Sequence, residues 1–316
     1  MTKGQWRGFC DYRAVAVVRR EPCCGRGRVH AAGSGRACSS GAHRVQAQAN
    51  PGSGSGRSVG QATGMADYYE TFAADYDWLF DDDTIARGSA VSHPATARLL
   101  ERTGQDHAVL DAACGTGVGA AALARRGFRV HATDGSDAMV TVAAARFRGE
   151  GLDIPLARCL WADLPEVVGD RFDVVLCLGN SLVHTASREA MIGALTGLRQ
   201  MARPGGHVVV DSRNWEKLHA ERRVVRVAER AVTRDGRRCV TLYAWEIPDH
   251  LEEEHVARIV FLFDDGDRIE PHEYRIDFRP FTLAELRERL AEAGLREVDT
   301  DFDEGRDQYA VVTVPA

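Results

Sequence analysis

With 316 residues, 44% hydrophobic and 27% charged side chains, the chain has the composition of an ordinary soluble globular protein, and its length suggests about two domains. Residues 1–64 hold ten Lys/Arg against Asp11 and Glu21, net +8; residues 65–316 hold 30 basic and 44 acidic residues, net −14. So acidic a body argues against a nucleic-acid partner, because affinity for phosphates rests on Lys and Arg. No apolar run approaches the roughly 18 residues of a membrane-spanning helix.

Along the chain, residues 1–64 contain twelve glycines with many Ser, Ala and Arg and no sustained hydrophobic period. Such a stretch buries too little apolar surface to offset its ordering entropy. It is expected to be a disordered extension or to precede a natural start at Met65, with an Arg-rich, acid-poor targeting segment as the third reading. Cys10, Cys23, Cys24 and Cys38 lie there, whereas Cys114, Cys159, Cys177 and Cys239 lie in apolar runs of the body. The body cysteines read as small buried hydrophobes in a reducing, cytoplasmic compartment, and no Cys or His spacing calls for a metal.

From residue 67 the pattern becomes organised. Tyr69, Phe72, Tyr76 and Phe80 recur at steps of three and four, which predicts an amphipathic helix, and a second helix follows over 95–102. Strands at 108–113, 129–133, 156–160, 172–178 and 207–211 then alternate with helices at 118–126, 136–148 and 188–202, with Pro204-Gly205-Gly206 as a turn. That alternation predicts an α/β doubly wound, mostly parallel sheet. After Asn214 the runs at 222–233, 237–247, 256–264 and 269–279 are joined by turns such as Asp235-Gly236 and Asp265-Gly266, an antiparallel insertion suited to substrate selection. A helix at 282–293 and strands at 295–302 and 308–314 return to the main sheet.

The stretch Val-Leu-Asp-Ala-Ala-Cys-Gly-Thr-Gly at 109–117 reads as a strand running into a glycine turn, and the next strand ends in Asp134, nineteen residues after Gly115. Glycines at 115, 117 and 119 let backbone approach a ligand, and an acid at the second strand's tip is placed to hold ribose hydroxyls. Asp111, four positions before Gly115, discriminates among adenosine cofactors. Its carboxylate repels a pyrophosphate but accepts from an ammonium group. S-adenosylmethionine is therefore expected ahead of a nicotinamide dinucleotide, and a turn that only packs helix on strand is the bland alternative.

Together with Cys-Leu-Gly-Asn-Ser-x-x-His at 177–184 and Asp-x-Arg-Asn at 211–214, the turn Ala-Cys-Gly-Thr-Gly-Val at 113–118 resembles the class I S-adenosylmethionine-dependent methyltransferases. More narrowly, the chain looks like the glycine and glycine/sarcosine N-methyltransferase group over roughly residues 67–316. The resemblance implies a Rossmann-like seven-stranded sheet, with lid helices in 65–107, a cofactor core in 108–214, an insertion in 215–280 and a closing helix and strand pair in 281–316. It implies that Asp134 holds the ribose, that Ala113 and Leu178 supply backbone groups, and that Trp161 lies beside the adenine, with Tyr69 and Arg87 coming from the lid. Asn180 and Arg213 would hold an amino acid, with His184 nearby and Tyr243 reaching in from the insertion.

Two positions depart from the group: Leu160 stands where Asn is common, and 222–227 lack an expected tyrosine. The implied activity is methyl transfer to a small amine, glycine or sarcosine first. A specialised small metabolite is the alternative, and a nicotinamide-dependent oxidoreductase or a non-catalytic module is further off. The expected partner is a small molecule, with no membrane and with homo-oligomerisation left open. Arg213 could clamp a carboxylate, and the Asn180 carbonyl could accept an N–H from the amine and aim its lone pair.

Overall fold

A computed structural model describes residues 67–88 and 92–316; the expected disordered or processed leader and its four cysteines lie outside the described residues. In chain order the N-terminal elements are helix α1 (Asp67–Phe72), a one-turn 3-10 helix (Tyr76–Leu79), α2 (Asp82–Arg87) and α3 (Pro94–Thr103). The main layer follows as β1 (Ala108–Asp111), α4 (Val118–Arg125), β2 (Arg129–Asp134), α5 (Asp137–Gly149), β3 (Leu156–Arg158), α6 (Leu164–Val167), β4 (Phe172–Cys177), α7 (Arg188–Met201) and β5 (Ala202–Arg213). Then come α8 (Trp215–Glu221), β6 (Val225–Val227), β7 (Val232–Arg234), β8 (Arg237–Glu246), β9 (His255–Asp264) and β10 (Ile269–Phe278), and finally α9 (Leu283–Glu292), β11 (Leu295–Thr300) and β12 (Gln308–Pro315).

Seven strands form one sheet in the order β11-β12-β5-β4-β1-β2-β3, with β1 to β5 parallel and β12 antiparallel to β5 and β11. The expected doubly wound sheet is therefore present. Helices cover both faces, so its strands read as continuous apolar runs. Successive residues of β4 alternate between two cores: Val175 packs in the one shared with the insertion, Val174 and Leu176 in the other. Strand order reverses between β1 and β4, and the carboxyl ends of those strands open the crevice where such sheets bind ligands.

A second sheet, in the order β10-β9-β8-β6 with β7 paired on β8, is antiparallel throughout. It packs Phe261, Phe263, Trp245 and Ile259 onto the main core.

Three expectations are corrected. The apolar stripe of residues 69–80 is not one helix: α1 stops at Phe72, and a 3-10 turn restarts at Tyr76 after Asp75. The stripe was produced by side chains converging on one core from a broken backbone, for Phe72 meets Tyr76, Phe261 and Tyr274 at ring-centroid distances of 5.3, 6.0 and 4.8 Å. Pro204-Gly205-Gly206 is not a connecting turn but a bulge inside β5, where Phe172 pairs with Ala202 and Val174 with His207. The single run 222–233 divides into β6 and β7, both paired on β8.

Candidate active site

The glycine turn is held by backbone pairing and by Asp134. Ala112 N–H donates to the Leu176 carbonyl (2.8 Å) and Cys114 N–H to that of Thr133 (3.0 Å), anchoring the loop between β4 and β2. Asp134 Oδ2 accepts the Gly115 N–H (2.8 Å) and Oδ1 the Ser136 N–H (2.9 Å). Burial pushes the Asp134 carboxyl up, and the N–H groups of Ser136, Gly115 and Gly135 pull it back. A carboxylate has about four acceptor sites, and the backbone donors do not fill them all, so a ribose hydroxyl can still be received.

Gly117, at φ +80, caps α4, and a Cβ there would stand 2.7 Å from Phe147 Cε1. This glycine makes room for α5.

Asp111 ends β1 and is only 7% exposed. Burial raises its carboxyl to about 7; the Ala113 N–H lowers it, and Asp134 and Asp211 raise it further. A buried acid beside a turn that carries no Lys or Arg suits a cationic, phosphate-free ligand. Trp161 Nε1 donates to the Ala112 carbonyl (2.8 Å), placing the indole against the same turn, and Leu178 is buried at the end of β4. These observations fit S-adenosylmethionine, whose ammonium and ribose need acceptors.

On the other side of the crevice, Asp211 of β5 is buried and accepts three hydrogen bonds: Gly179 N–H (3.0 Å), Asn180 N–H (2.7 Å) and His93 Nε2 (3.0 Å). Burial works against charge on His93, but the hydrogen bond and charge of Asp211 outweigh it and hold the imidazole above its usual value. Asn180 adopts φ +60, tolerated by Asn among non-glycine residues. Its Oδ1 accepts the Arg213 N–H (2.9 Å) and the Ser212 hydroxyl (3.5 Å). The Arg213 N–H takes one of this carbonyl's two lone pairs, and the Nδ2 hydrogens remain.

Arg213 has its Nε buried without a hydrogen-bond partner and has no carboxylate within 4.0 Å among the described residues. Its guanidinium lies 5.2 Å from the Trp245 ring centre and 5.9 Å from that of Trp215. Burial lowers its pKa and Tyr243 raises it, so Tyr243 is brought beside it from β8. Burial raises the Tyr243 phenol against the pull of Arg213 and Arg226, which keeps it neutral.

His184 is buried, meets the Tyr69 hydroxyl at 3.0 Å, and is driven by burial to about 4, a neutral imidazole at ordinary pH. Lid and loop are thus tied through this pair. Arg87 is the outlier: exposed at the end of α2, its Nε donates to the Asp83 carbonyl (3.3 Å), and the structure does not bring it to the others.

Sequence reasoning did not single out Tyr76, Asp77, Glu70, Asp211 or His93. The Tyr76 ring reaches Gly115, where an added Cβ would lie 3.7 Å from Cε1; burial first, then Asp134, Tyr243, Asp211 and Asp77, push its phenol up. Glu70 accepts the Ser136 hydroxyl (2.8 Å) and the Ala138 N–H (3.2 Å) at the start of α5. The signal for Tyr76 was present as Asp75 and Asp77 flanking it, two acids inside a supposed apolar stripe.

Sheet order, the glycine turn and Asp134 define a Rossmann-like methyltransferase fold, and residues 109–206 match the family model described as a methyltransferase domain. The family match and the similarities that follow support a class I S-adenosylmethionine-dependent methyltransferase, a group whose cofactor is S-adenosylmethionine. The chain is 36% identical over 175 residues to glycine N-methyltransferase of Rattus norvegicus, covering 51% of this chain and 59% of that protein. It is 27% identical over 245 residues to glycine/sarcosine N-methyltransferase of Parasynechococcus marenigrum, covering 76% of this chain and 80% of that one. The sugar N-methyltransferase KedS8 from Streptoalloteichus sp ATCC 53650 shares the fold, with a TM-score of 0.59 at 20% identity over 84% of this chain and 100% of that chain. Among the described residues, no helix is long and apolar enough to cross a membrane, and no group of three or more His, Cys, Asp or Glu is placed to hold a metal.

Proposed function

We propose that this protein transfers a methyl group to the amine of a small carboxylate-bearing molecule, with glycine or sarcosine as first choice. The observation that carries the proposal is Arg213, a buried guanidinium with no carboxylate partner among the described residues, at the end of β5 beside Tyr243 and the Asn180 amide. A guanidinium held in this way is suited to a ligand's carboxylate, which its planar fork grips bidentately. The relatives named for glycine and sarcosine methylation support the same substrate class.

S-adenosylmethionine, when bound, supplies a methyl carbon activated by its sulfonium. In this reading Asp111 receives its ammonium, Asp134 its ribose, and Trp161 lies beside the adenine. Arg213 holds the carboxylate of the acceptor, and Asn180 Nδ2 donates to the same ligand. The neutral phenol oxygens of Tyr76 and Tyr243 accept from the amine and aim its lone pair. The amine reaches the site deprotonated, and the chain's task is alignment, worth about 7–11 kcal/mol in favourable systems.

A second reading, a methyltransferase of a specialised small metabolite, is favoured by one observation. Within 222–227, the stretch that lacks the tyrosine expected of the glycine-methylating group, β6 presents Arg226, opposite Tyr243 in register and bound to Asp307 (2.7 Å). Separate incubations with glycine, sarcosine and an amino sugar, read by mass for methylated product, test the two readings against each other.

A further inference from the structure

Residues 75–82 are joined to the cofactor side and to the insertion at once. On the cofactor side Asp77 Oδ1 accepts the Thr116 hydroxyl (2.6 Å) and Oδ2 pairs with Arg146 of α5. Arg146 in turn donates Nε–H to the Thr116 carbonyl (2.9 Å), so turn, strap and α5 form one knot. On the insertion side Arg234, the last residue of β7, donates to the carbonyls of Asp77 (2.9 Å) and Phe80 (2.7 Å) and to Asp82 Oδ1 (2.9 Å). Its guanidinium also lies 5.2 Å from the Trp78 ring centre, and Trp78 packs edge-on against Phe263 of β9.

Three separate acceptors and one ring face use most of what a planar guanidinium offers, and a lysine cannot reproduce that fork. Asp77 is shared: its side chain serves the glycine turn and its carbonyl serves Arg234. From Arg234 the chain turns through Asp235-Gly236 into β8, which carries Tyr243.

We propose that Arg234 is a positioning residue that couples the state of the cofactor turn to the β7–β8 hairpin, so that cofactor binding also sets the acceptor-facing strand. The proposal rests on the cofactor reading of the turn. A parallel tie exists, since Asp75 accepts from Tyr274 (2.7 Å) and bonds His272, both on β10. Loss of Arg234 therefore uncouples β7–β8 and leaves β10 coupled.

Hydrogen–deuterium exchange of the full chain, free and saturated with S-adenosylhomocysteine, tests this. In wild type the ligand slows exchange in 112–119, in 75–82 and in 232–241, each by about fivefold or more. In Arg234→Gln the ligand still binds and protects 112–119, 75–82 and β10, but its effect on 232–241 is lost; Arg234→Lys restores less than half of it. Asp77→Asn cuts the other side: 112–119 is protected, and 75–82 and 232–241 are not. A purely structural Arg234 would change 232–241 equally with and without ligand. Ligand-dependent protection of 232–241 that survives in Arg234→Gln overturns the proposal, as does wild type protected at 112–119 alone. Should Arg234→Gln not fold, Asp77→Asn decides. Wild type that fails to bind the ligand at all contradicts the cofactor reading instead.

Discussion

Gly117→Ala tests whether the glycine turn is shaped by packing. Residue 117 sits at φ +80 and ψ 10, a left-handed backbone that costs an L-residue about 1–2 kcal/mol. The new Cβ would stand 2.7 and 2.9 Å from Phe147 Cε1 and Cζ and 3.0 Å from Ala143 Cβ. Phe147 is 4% exposed and cannot swing away, so α5 must shift, a typical overpacking cost of about 1–3 kcal/mol. The sum, about 2–5 kcal/mol, lowers the melting temperature by roughly 5–15 °C for a body of this size. Urea unfolding of wild type, Gly117→Ala and Gly117→Ala/Phe147→Leu separates the two parts: the smaller ring relieves the clash but not the backbone strain, so the double mutant recovers only part of the loss. A single mutant within about 0.5 kcal/mol of wild type would refute the reasoning.

Outcomes at four further residues are expected. Asp111, raised to about 7, must be ionised to hold an ammonium, so affinity for S-adenosylhomocysteine falls about tenfold per pH unit below 7 and Asp111→Asn removes that dependence; calorimetry across pH 5–8 reads it. Because the folded state keeps the Asp111 proton to higher pH than the unfolded chain, its contribution to unliganded stability is full at low pH and is lost as pH rises through about 7. Arg213→Ala raises the KM of a carboxylate acceptor by about 10- to 100-fold while cofactor affinity holds, the loss of one or two charge-assisted hydrogen bonds; parallel loss of cofactor affinity would make Arg213 structural. Asp134→Ala strands the N–H groups of Gly115 and Ser136 and weakens S-adenosylhomocysteine by about tenfold or more, and unchanged affinity removes Asp134 from the site. His184, lowered to about 4, stays neutral, so its imidazole NMR signals do not titrate between pH 5.5 and 8.

The doubly wound sheet was legible because parallel strands covered on both faces leave plain apolar runs, and glycine and proline punctuate them. The turn at 115–117 and the placing of Asp134 against it were legible for the same reason, since both are set by local backbone and spacing. What escaped depends on contacts across long sequence distances. Tyr76 looked like one more apolar residue until the break at Asp75 turned it toward Gly115. Asp211 stood in a noticed motif, but its three donors come from residues 93, 179 and 180, which no local pattern joins. The hydrogen bond from the Arg213 N–H to the Asn180 carbonyl was not foreseen, because its donor belongs to the next strand of the sheet. Arg87 was implied by the resemblance alone, and α2 turns it outward.

The most direct test of the account is mass spectrometry of methyl transfer by the purified full chain. S-adenosylmethionine would be supplied with glycine, sarcosine and dimethylglycine in separate reactions. The account predicts a mass gain of one methyl group on glycine or sarcosine with matching release of S-adenosylhomocysteine, and loss of that product in Arg213→Ala. No transfer to any of the three, from a protein that binds S-adenosylhomocysteine, would contradict the acceptor assignment.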